Sequence, residues 1–222
     1  MYPKIAEQFY AVEVPPKVMD DLWAEGWRHF GTWFFRYSIT TDEQLQLRII
    51  PLRINLDKFT PSKSQRRIIR KNSDLKLVIK PTQIDNERRR LFYLHRTRFK
   101  KNLPDSLDEF VSEYAQFIPC KNIEFGLYLN NKLIAASYLD IGEQAVSSVY
   151  AIFNPEFGKR SLGIYTMLLE IMYAKELNFK YYYPGYTTIE HSEYDYKKRF
   201  NSLQYYSWKN KKWLDYDMEQ VV

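Results

Sequence analysis

The feature that most constrains the fold is a strand–helix–strand pattern in the last third of the chain. The runs QAVSSVYAIF and FKYYYPGY are rich in β-branched and aromatic residues, which is typical of β-strands. The segment between them repeats apolar residues at helical spacing, at Leu162, Tyr165, Leu169 and Met172. A helix between two strands packs on the sheet that they form, so the pattern predicts a mixed α/β fold.

A β-hairpin is expected directly before this unit. The strand-like runs IEFGLYL and KLIAASYLDI flank Asn130 and Asn131, and consecutive asparagines favour a tight hairpin turn. We therefore expect residues 81–222 to form one α/β (α+β) domain in which a helix packs on a sheet.

Residues 1–80 are predicted to form a smaller region of strands and one basic helix. Strand composition marks three runs in it: GWRHFGTWFFRYSI, LQLRIIPLRINL and LKLVIK. Helices are expected over 62–72, 85–102 and 106–117. The third of these begins with Ser106 and Glu109 at the spacing of a capping box.

Composition narrows the class of protein. Hydrophobic residues make up 45% of the chain, which is enough for a sizeable core. Cys120 is the only cysteine, and the three histidines are far apart in sequence, so spacing predicts neither a disulfide nor a metal site, and we expect no cofactor. The N-terminus lacks a signal-peptide pattern, and no apolar run reaches the ~18 residues of a membrane helix. A soluble, cytoplasmic protein is expected, with its oligomeric state left open.

The predicted basic helix is the first candidate for a binding function. It places four cations on one face, at Lys63, Arg66, Arg67 and Arg70. Such a face can neutralise several phosphates through charge-assisted hydrogen bonds. A solvated surface helix is the alternative, and the net charge of +6 suits an anionic partner without requiring one.

The junction between the strand QAVSSVYAIF and the following helix is a second candidate. Free backbone amides at a helix N-terminus, here around Ser161 and Gly163, can bind an anion or a carbonyl oxygen. Acyl-CoA-dependent N-acetyltransferases place Q/R-x-x-G-x-G/A at such a junction, and RSLGIY fits this pattern except at Tyr165. A bulky residue there disfavours pyrophosphate binding.

Tyrosines and a lysine near the C-terminus form the third candidate. A tyrosine hydroxyl such as that of Tyr186 can donate to a developing oxyanion, and Lys197 can bind a carboxylate. The alternative is that these tyrosines fill a core. The sequence shows no serine–histidine–aspartate or cysteine–histidine order and no paired carboxylates that would indicate a covalent or acid–base mechanism.

Four motifs in order resemble the aminoacyl-tRNA–protein transferase family, which comprises arginyltransferases and bacterial aspartate/glutamate leucyltransferases of the N-degron pathway. The motifs are GWRHFGTWFFR, IPLRINLDKFTPSKSQRRIIRKN, SSVYAIFNPEFGKRSLGIY and YYYPGYTTIEHSEYDYKKRF. The resemblance extends over most of the chain, from about residue 26 to 213. It implies a GNAT-like acyltransferase fold in the C-terminal half, and transfer of arginine or leucine from charged tRNA to proteins that begin with an acidic residue.

The resemblance also implies roles for the candidate residues. The four cations of the basic helix would bind tRNA, and the Ser161–Gly163 amides with Tyr186 would surround the reacting carbonyl. Lys197 and Tyr150 would bind the acceptor protein, and the reaction needs neither a nucleophile nor a cofactor.

The chain departs from the family pattern in one place above all. The interval YSITTDEQLQLRII holds no cysteine, whereas family members carry there a cysteine cluster that can bind metal. The family's usual Cys-Pro is also missing from TTIEHSEYD. Two alternatives therefore stay open: a non-catalytic protein that binds tRNA or degrons, and an acyl-CoA-dependent N-acetyltransferase.

Overall fold

The structure is a computed structural model that describes residues 2–42, 45–99 and 103–217. Its strands are β1 Ala6–Tyr10, β2 Arg28–Phe30, β3 Trp33–Tyr37, β4 Ile39–Asp42, β5 Leu45–Asn55, β6 Lys76–Pro81, β7 Asn122–Leu129, β8 Lys132–Ile141, β9 Ala145–Phe153, β10 Tyr181–Thr188, β11 Leu203–Ser207 and β12 Lys212–Asp215. Its α-helices are α1 Pro16–Ala24, α2 Lys63–Lys71, α3 Asn86–Arg96 and α4 Leu162–Glu176. Short 3-10 turns cover Leu107–Glu109, Pro155–Arg160 and Asp195–Arg199.

One large sheet organises the described part of the chain. Its order is β12-β11-β5-β10-β9-β8-β7-β6, and β4 pairs with the outer part of β5. Neighbouring strands are antiparallel except β9 and β10, which are parallel and are joined by α4. This crossover confirms the predicted strand–helix–strand unit and the mixed α/β class.

Helices cover both faces of the large sheet. On one face, Leu168 and Ile171 of α4 pack on strand residues such as Phe125 and Val146. On the other face, Leu91 and Phe92 of α3 pack with Tyr138 and Ile152. Each fully buried apolar side chain of this kind stabilises the fold by about 1.5–3 kcal/mol. The two cores fix the sheet from both sides.

A small sheet in the order β1-β3-β2 lies against the large one. Its aromatic residues Phe9 and Phe34 stack at 4.8 Å and pack with Trp23 of α1 and Tyr183 of β10. The segment GWRHFGTWFFRYSI therefore forms two strands, and Gly31, with φ of +53°, makes the turn between them.

Several local predictions are confirmed. Asn130 and Asn131 both adopt positive φ in the β7–β8 turn, as a tight hairpin requires. Ser62 caps α2 in a capping box with Gln65, and Asp85 caps α3. Helix α3 ends at Arg96, earlier than predicted, and residues 100–102 of the predicted range lie outside the described residues.

The helix predicted over 106–117 is wrong. The capping box of Ser106 with Glu109 forms, but it begins only the 3-10 turn Leu107–Glu109, and separate turns follow. Phe110 stacks on Tyr150, and Val111 is buried in the core beneath α3. These tertiary contacts override a weak local preference for helix.

The sequence boundary at residue 80 runs through the large sheet. Strand β5 lies between β10 and β11, and β6 pairs with β7 along its full length. The division into residues 1–80 and 81–222 thus stays a prediction about sequence, while backbone hydrogen bonding continues across it.

We expect the buried ion pair between Arg88 and Glu124 to dominate the stability of the α3 face. Both side chains are at most 3% exposed, and the guanidinium binds both carboxylate oxygens, at 2.7 and 2.9 Å. Glu124→Ala should lower the free energy of unfolding by about 3 kcal/mol, the low end for a broken buried pair, because it removes the buried carboxylate while Nη1 of Arg88 keeps its half-exposed partners Asp85 and Glu87. Denaturant unfolding measures the loss. Asp21→Ala, which breaks an exposed pair with Lys17, is the control and should change stability little; equal losses in both variants would contradict the expectation.

Candidate functional site

Strands β9 and β10 diverge shortly after they begin to pair. Their parallel register covers only three residue pairs and ends at Tyr183 and Ser147. Beyond this point β9 stays bonded to β8 as far as Phe153, and β10 stays bonded to β5 as far as Thr188. The gap between residues 148–153 and 184–188 is called the strand opening below.

A β-bulge lies at the edge of the strand opening. Tyr138 of β8 faces Tyr150 of β9, whereas the next residue, Leu139, faces Ser148. Val149 is therefore an extra residue without a partner on β8. Bulges of this kind turn backbone groups away from the regular ladder. The bulge thus leaves Val149 outside the β8 pairing, directly beside the strand opening.

Arg28 closes the base of the strand opening. Its guanidinium donates to the hydroxyl of Ser147 and to the backbone carbonyl of Ser148, the first residue of β9 that β10 leaves unpaired. The side chain is buried, and burial lowers its pKa, while the charge of Asp140 acts in the opposite direction. A half-buried carbonyl that β10 leaves without a partner thus receives a charged donor.

Lys197 likewise donates to a backbone carbonyl, on the β10 side of the strand opening. It lies on the 3-10 turn Asp195–Arg199, and its Nζ donates to the carbonyl of Tyr186 at 3.0 Å. Burial, together with the nearby charge of Arg28, lowers the pKa of Lys197 to about 7. The ammonium group is thus held in a site where a counter-charge would stabilise it.

Gly185 brings the two cations together. A Cβ atom on this residue would lie 3.4 Å from Nζ of Lys197 and 3.5 Å from Nη2 of Arg28, and the backbone φ is +91°. Glycine tolerates this φ without strain. A carboxylate beside Gly185 could therefore contact both positive groups.

Tyr186 is held by backbone carbonyls. Its hydroxyl donates to the carbonyl of Gly26 at 2.6 Å and lies 3.4 Å from that of Phe35. Burial raises its pKa, so the phenol stays protonated. In this structure Tyr186 anchors the β2–β3 hairpin that carries Arg28.

Tyr150 lies on the other side of the bulge from Arg28. Its ring stacks on Phe110 at a centroid distance of 4.0 Å, and burial raises its pKa to about 12. The charge of Arg98 acts in the opposite direction, and those of Glu109 and Tyr196 act with burial. Tyr150 is thus a neutral hydroxyl donor at the rim of the strand opening.

Glu170 lies beneath the strand opening. This residue of α4 is fully buried, and its Oε2 accepts a hydrogen bond from Tyr182 at 2.6 Å. Burial raises its pKa to about 7, while Ser137, Tyr182 and Ser148 act in the opposite direction. The carboxyl group and Arg28 thus belong to one buried polar network.

The start of α4 lies at the far end of the strand opening. Ser161 takes the left-handed conformation, with φ of 56°, and Gly163 faces the ring of Phe153. Arg160 forms a bidentate ion pair with Asp74, at 2.8 and 2.9 Å. The arginine that matches the CoA motif is thus already paired.

Helix α2 packs beside this helix start. Asn72 donates its side-chain amide to the carbonyl of Arg160 at 3.0 Å, and its own carbonyl lies 3.4 Å from the hydroxyl of Tyr165. The apolar side chains Ile68 and Ile69 pack inward. The fold thus joins two candidate regions that lie far apart in the sequence.

The four predicted cations of α2 are exposed on the outward face: Lys63, Arg66, Arg67 and Arg70. Within the residues that the structure describes, none of them forms an ion pair with a carboxylate. The helix therefore presents an unneutralised basic face next to the N-terminus of α4.

The predicted site residues fall into two groups. Gly163 and Ser161 lie near Phe153, whereas Tyr186 and Lys197 lie near Ser148. Five residues of extended strand separate the two ends by about 16 Å. One small group cannot touch both ends, but an elongated substrate can.

Sequence reasoning missed several residues of this site: Arg28, Arg98, Val149, Glu170 and Tyr196. Glu170 carried a usable signal, because it is a lone acid in the apolar run of α4. The bulge at Val149 and the position of Arg28 depend on strand register, which composition does not reveal.

The sequence and the fold were compared with those of known proteins. The family described as "Arginine-tRNA-protein transferase, C terminus" matches residues 87–207. An aspartate/glutamate leucyltransferase of Saccharophagus degradans is 31% identical over 209 residues, which cover 92% of this chain and 86% of the relative. One from Leptospira interrogans is 28% identical over 212 residues and covers 91% and 81%.

A solved structure shows the likeness of the fold. The crystal structure of FemX superposes with a TM-score of 0.51 at 13% identity, over 85% of this chain and 65% of that one. No described helix is long and apolar enough to cross a membrane. With more than half of its length matched by the family and a relative above 30% identity, the chain belongs to the arginine-tRNA-protein transferase family.

Proposed function

We propose that this protein transfers an aminoacyl group from aminoacyl-tRNA to the N-terminal amine of proteins that begin with aspartate or glutamate. The relatives above are named aspartate/glutamate leucyltransferases, which supports leucine as the transferred residue. The family name supports arginine as the second candidate. We place the reaction in the N-degron pathway of the cytoplasm, where charged tRNA is available. The observation that carries the proposal is the strand opening, with cations at one end and a basic helix at the other.

The reaction needs little covalent chemistry from the protein. The amine nitrogen attacks the ester carbonyl, a C–N bond forms, and the bond to the ribose oxygen breaks. The amine loses one proton and the ribose oxygen gains one. The protein must hold ester and amine together, exclude water and stabilise the oxyanion.

The bulge of β9 supplies the donors for the oxyanion in this proposal. Val149 has no partner in the β8 register, so its backbone amide is the first donor, and the Tyr150 hydroxyl, which stays protonated at neutral pH, is the second. Donors fixed by a sheet cost no reorganisation during the reaction. Tyr186 acts indirectly, through the hairpin that positions Arg28.

The tRNA occupies the far end of the strand opening. The exposed cations of α2 bind phosphates of the acceptor stem, and the amide of Gly163 at the start of α4 binds a phosphate close to the 3′ end. The amide of Ser161, which was predicted to share this role, instead donates to the carbonyl of Gly158 at 3.1 Å. The terminal adenosine with its aminoacyl ester then extends along β9 towards Ser148.

The acidic side chain of the acceptor protein binds beside Gly185. Its carboxylate contacts Lys197 and faces Arg28, which explains why two positive groups converge there. Binding of the carboxylate favours the charged form of Lys197 and so raises its pKa. A neutral glutamine side chain lacks this interaction.

A transfer assay tests the proposal directly. Purified protein is mixed with Leu-tRNA or Arg-tRNA, each with a radiolabelled amino acid, and with peptides that begin with Glu, Asp or Ala. We expect labelled product with Leu-tRNA and the Glu and Asp peptides. Binding of tRNA and peptide without product would instead support the non-catalytic alternative.

The charge of Lys197 predicts a pH-dependent preference for acidic acceptors. At pH 6 the wild type should prefer a Glu peptide over its Gln counterpart by about tenfold or more in kcat/KM, as expected for a charge-assisted hydrogen bond. The ratio should fall between pH 6 and 8, because the pKa of Lys197 is about 7. Using the ratio cancels the titration of the peptide amine.

Lys197→Met is the matched variant. It should lower the ratio and remove its change between pH 6 and 8, because the remaining cation, Arg28, does not titrate there; folding is checked by thermal denaturation. A ratio that keeps the wild-type value and pH dependence in this variant would exclude Lys197 from acceptor recognition.

The basic face of α2 predicts a salt-dependent tRNA affinity. Changing Arg66, Arg67 and Arg70 together to Gln should weaken tRNA binding. It should also flatten the plot of log affinity against log salt by roughly 0.7–0.9 for each phosphate that the variant no longer neutralises. The control changes Lys209, Lys211 and Lys212 to Gln, which removes the same charge from the exposed β11–β12 turn. Equal effects in the two variants would indicate a general charge effect and contradict a specific contact.

The acetyltransferase alternative has its own test. Tyr165 is buried between α4 and α2, in the place of the motif's last small residue, and Arg160 is paired with Asp74. Acetyl-CoA should therefore leave the melting temperature unchanged. Saturable stabilisation at micromolar acetyl-CoA would support that alternative instead.

A further inference from the structure

Three metal-ligating side chains meet where the small sheet contacts the large one. His29 lies on β2, Cys120 lies before β7, and Asp140 lies near the end of β8. One ligand atom from each lies within 4.8 Å of the others, and all three side chains are buried. They come from distant parts of the sequence, so spacing motifs do not reveal them. The expectation of no metal rested on such spacing.

The neighbours of His29 and Asp140 hold both side chains in the orientation that metal ligands need. The Nδ1 atom of His29 lies 2.9 Å from the carbonyl of Gly31, which can only accept, so Nδ1 carries a proton. Nε2 then faces Oδ2 of Asp140 at 2.7 Å, while Oδ1 accepts from Asn122 at 2.7 Å. Metal-binding histidines usually donate their second nitrogen to a carbonyl in this way.

The donor set of the cluster suits a divalent cation. A thiolate and a carboxylate supply two negative charges beside a neutral imidazole, so a divalent ion bound by all three would leave the buried site without net charge.

A small cavity beside the cluster offers a fourth position. It has a volume of about 10 Å³ and is lined by His29, Asn122 and Asp140 among others. This is about the room that one water molecule needs. Three protein ligands and a water complete a tetrahedral site, the geometry that Zn²⁺ prefers.

The change in geometry that binding requires is small. Ligand atoms at about 2.0–2.3 Å from a tetrahedral Zn²⁺ lie roughly 3.3–3.6 Å apart. The 2.7 Å between Nε2 and Oδ2 would therefore open by less than about 1 Å, a rotamer adjustment. A thiolate and an imidazole select Zn²⁺ over Mg²⁺ or Ca²⁺, which prefer oxygen ligands.

We propose that His29, Cys120 and Asp140 form a binding site for Zn²⁺ that fastens the β2–β3 hairpin to the large sheet. The site lies next to the strand opening, because His29 follows Arg28 directly and Asp140 pairs with Ser147, whose hydroxyl accepts a hydrogen bond from Arg28. Metal binding thereby fixes the hairpin that places Arg28. It is distinct from a cysteine cluster, since the chain has one cysteine.

Cobalt spectroscopy tests the site in the full-length protein. Co²⁺ bound to a thiolate gives a ligand-to-metal charge-transfer absorption, and Cys120 is the only cysteine that can produce it. We expect this absorption at one Co²⁺ per chain and its loss on addition of Zn²⁺. Zn²⁺ at a hundredfold excess over Kd should raise the melting temperature by about 5–10 °C.

Variants separate this site from adventitious binding. Cys120→Ser, which keeps a hydroxyl for hydrogen bonding, should lose the absorption and the thermal shift. His191→Ala removes an exposed histidine and should keep both. Wild-type protein without a thiolate–cobalt absorption would overturn the proposal even if a variant fails to fold. A Zn²⁺-dependent thermal shift that is equal in Cys120→Ser and wild type would also overturn it.

Discussion

The early divergence of β9 and β10 is the constraint on which the rest of the site depends. Two parallel strands that part inside a sheet leave backbone groups without partners, and buried backbone groups must be paired. Arg28 supplies a donor to β9 at Ser148, and Lys197 supplies one to β10 at Tyr186. The same gap that needs these cations can admit a substrate. The cations therefore pair the backbone carbonyls on both sides of the gap and give the gap its positive charge.

This solution has a cost in stability. Arg28 and Lys197 are both desolvated, and burial lowers the pKa of each, so the folded protein stabilises their charged forms less than water does. Other parts of the fold offset this cost, such as the packing of α4 and the ion pair beneath α3. Functional sites often lower the stability of a protein in this way, and a rigid surrounding fold supports them.

The sequence predicted the parts that depend on local patterns. The crossover helix α4, the Asn130–Asn131 hairpin and the capped basic helix α2 follow from periodicity and turn chemistry, and all are present. The helix predicted over 106–117 failed because Phe110 and Val111 satisfy long-range contacts instead.

The candidate site was only partly predictable for the same reason. Lys197, Tyr150 and the cations of α2 could be named from composition and motif. Their grouping could not, because it depends on which strands pair. The bulge at Val149, the reach of Arg28 and the meeting of His29 with Asp140 all arise from register between distant segments.

Hydrogen exchange with a bound substrate mimic tests most directly whether the strand opening is the reaction site. The mimic is an acceptor-stem RNA with leucine joined to its 3′ end by a stable amide, added together with a peptide that begins with glutamate. The account predicts slower amide exchange in residues 148–153 and 184–188 and at the start of α4, with little change in the edge strand β6. Protection confined to other surfaces, with unchanged exchange along both walls of the strand opening, would contradict it.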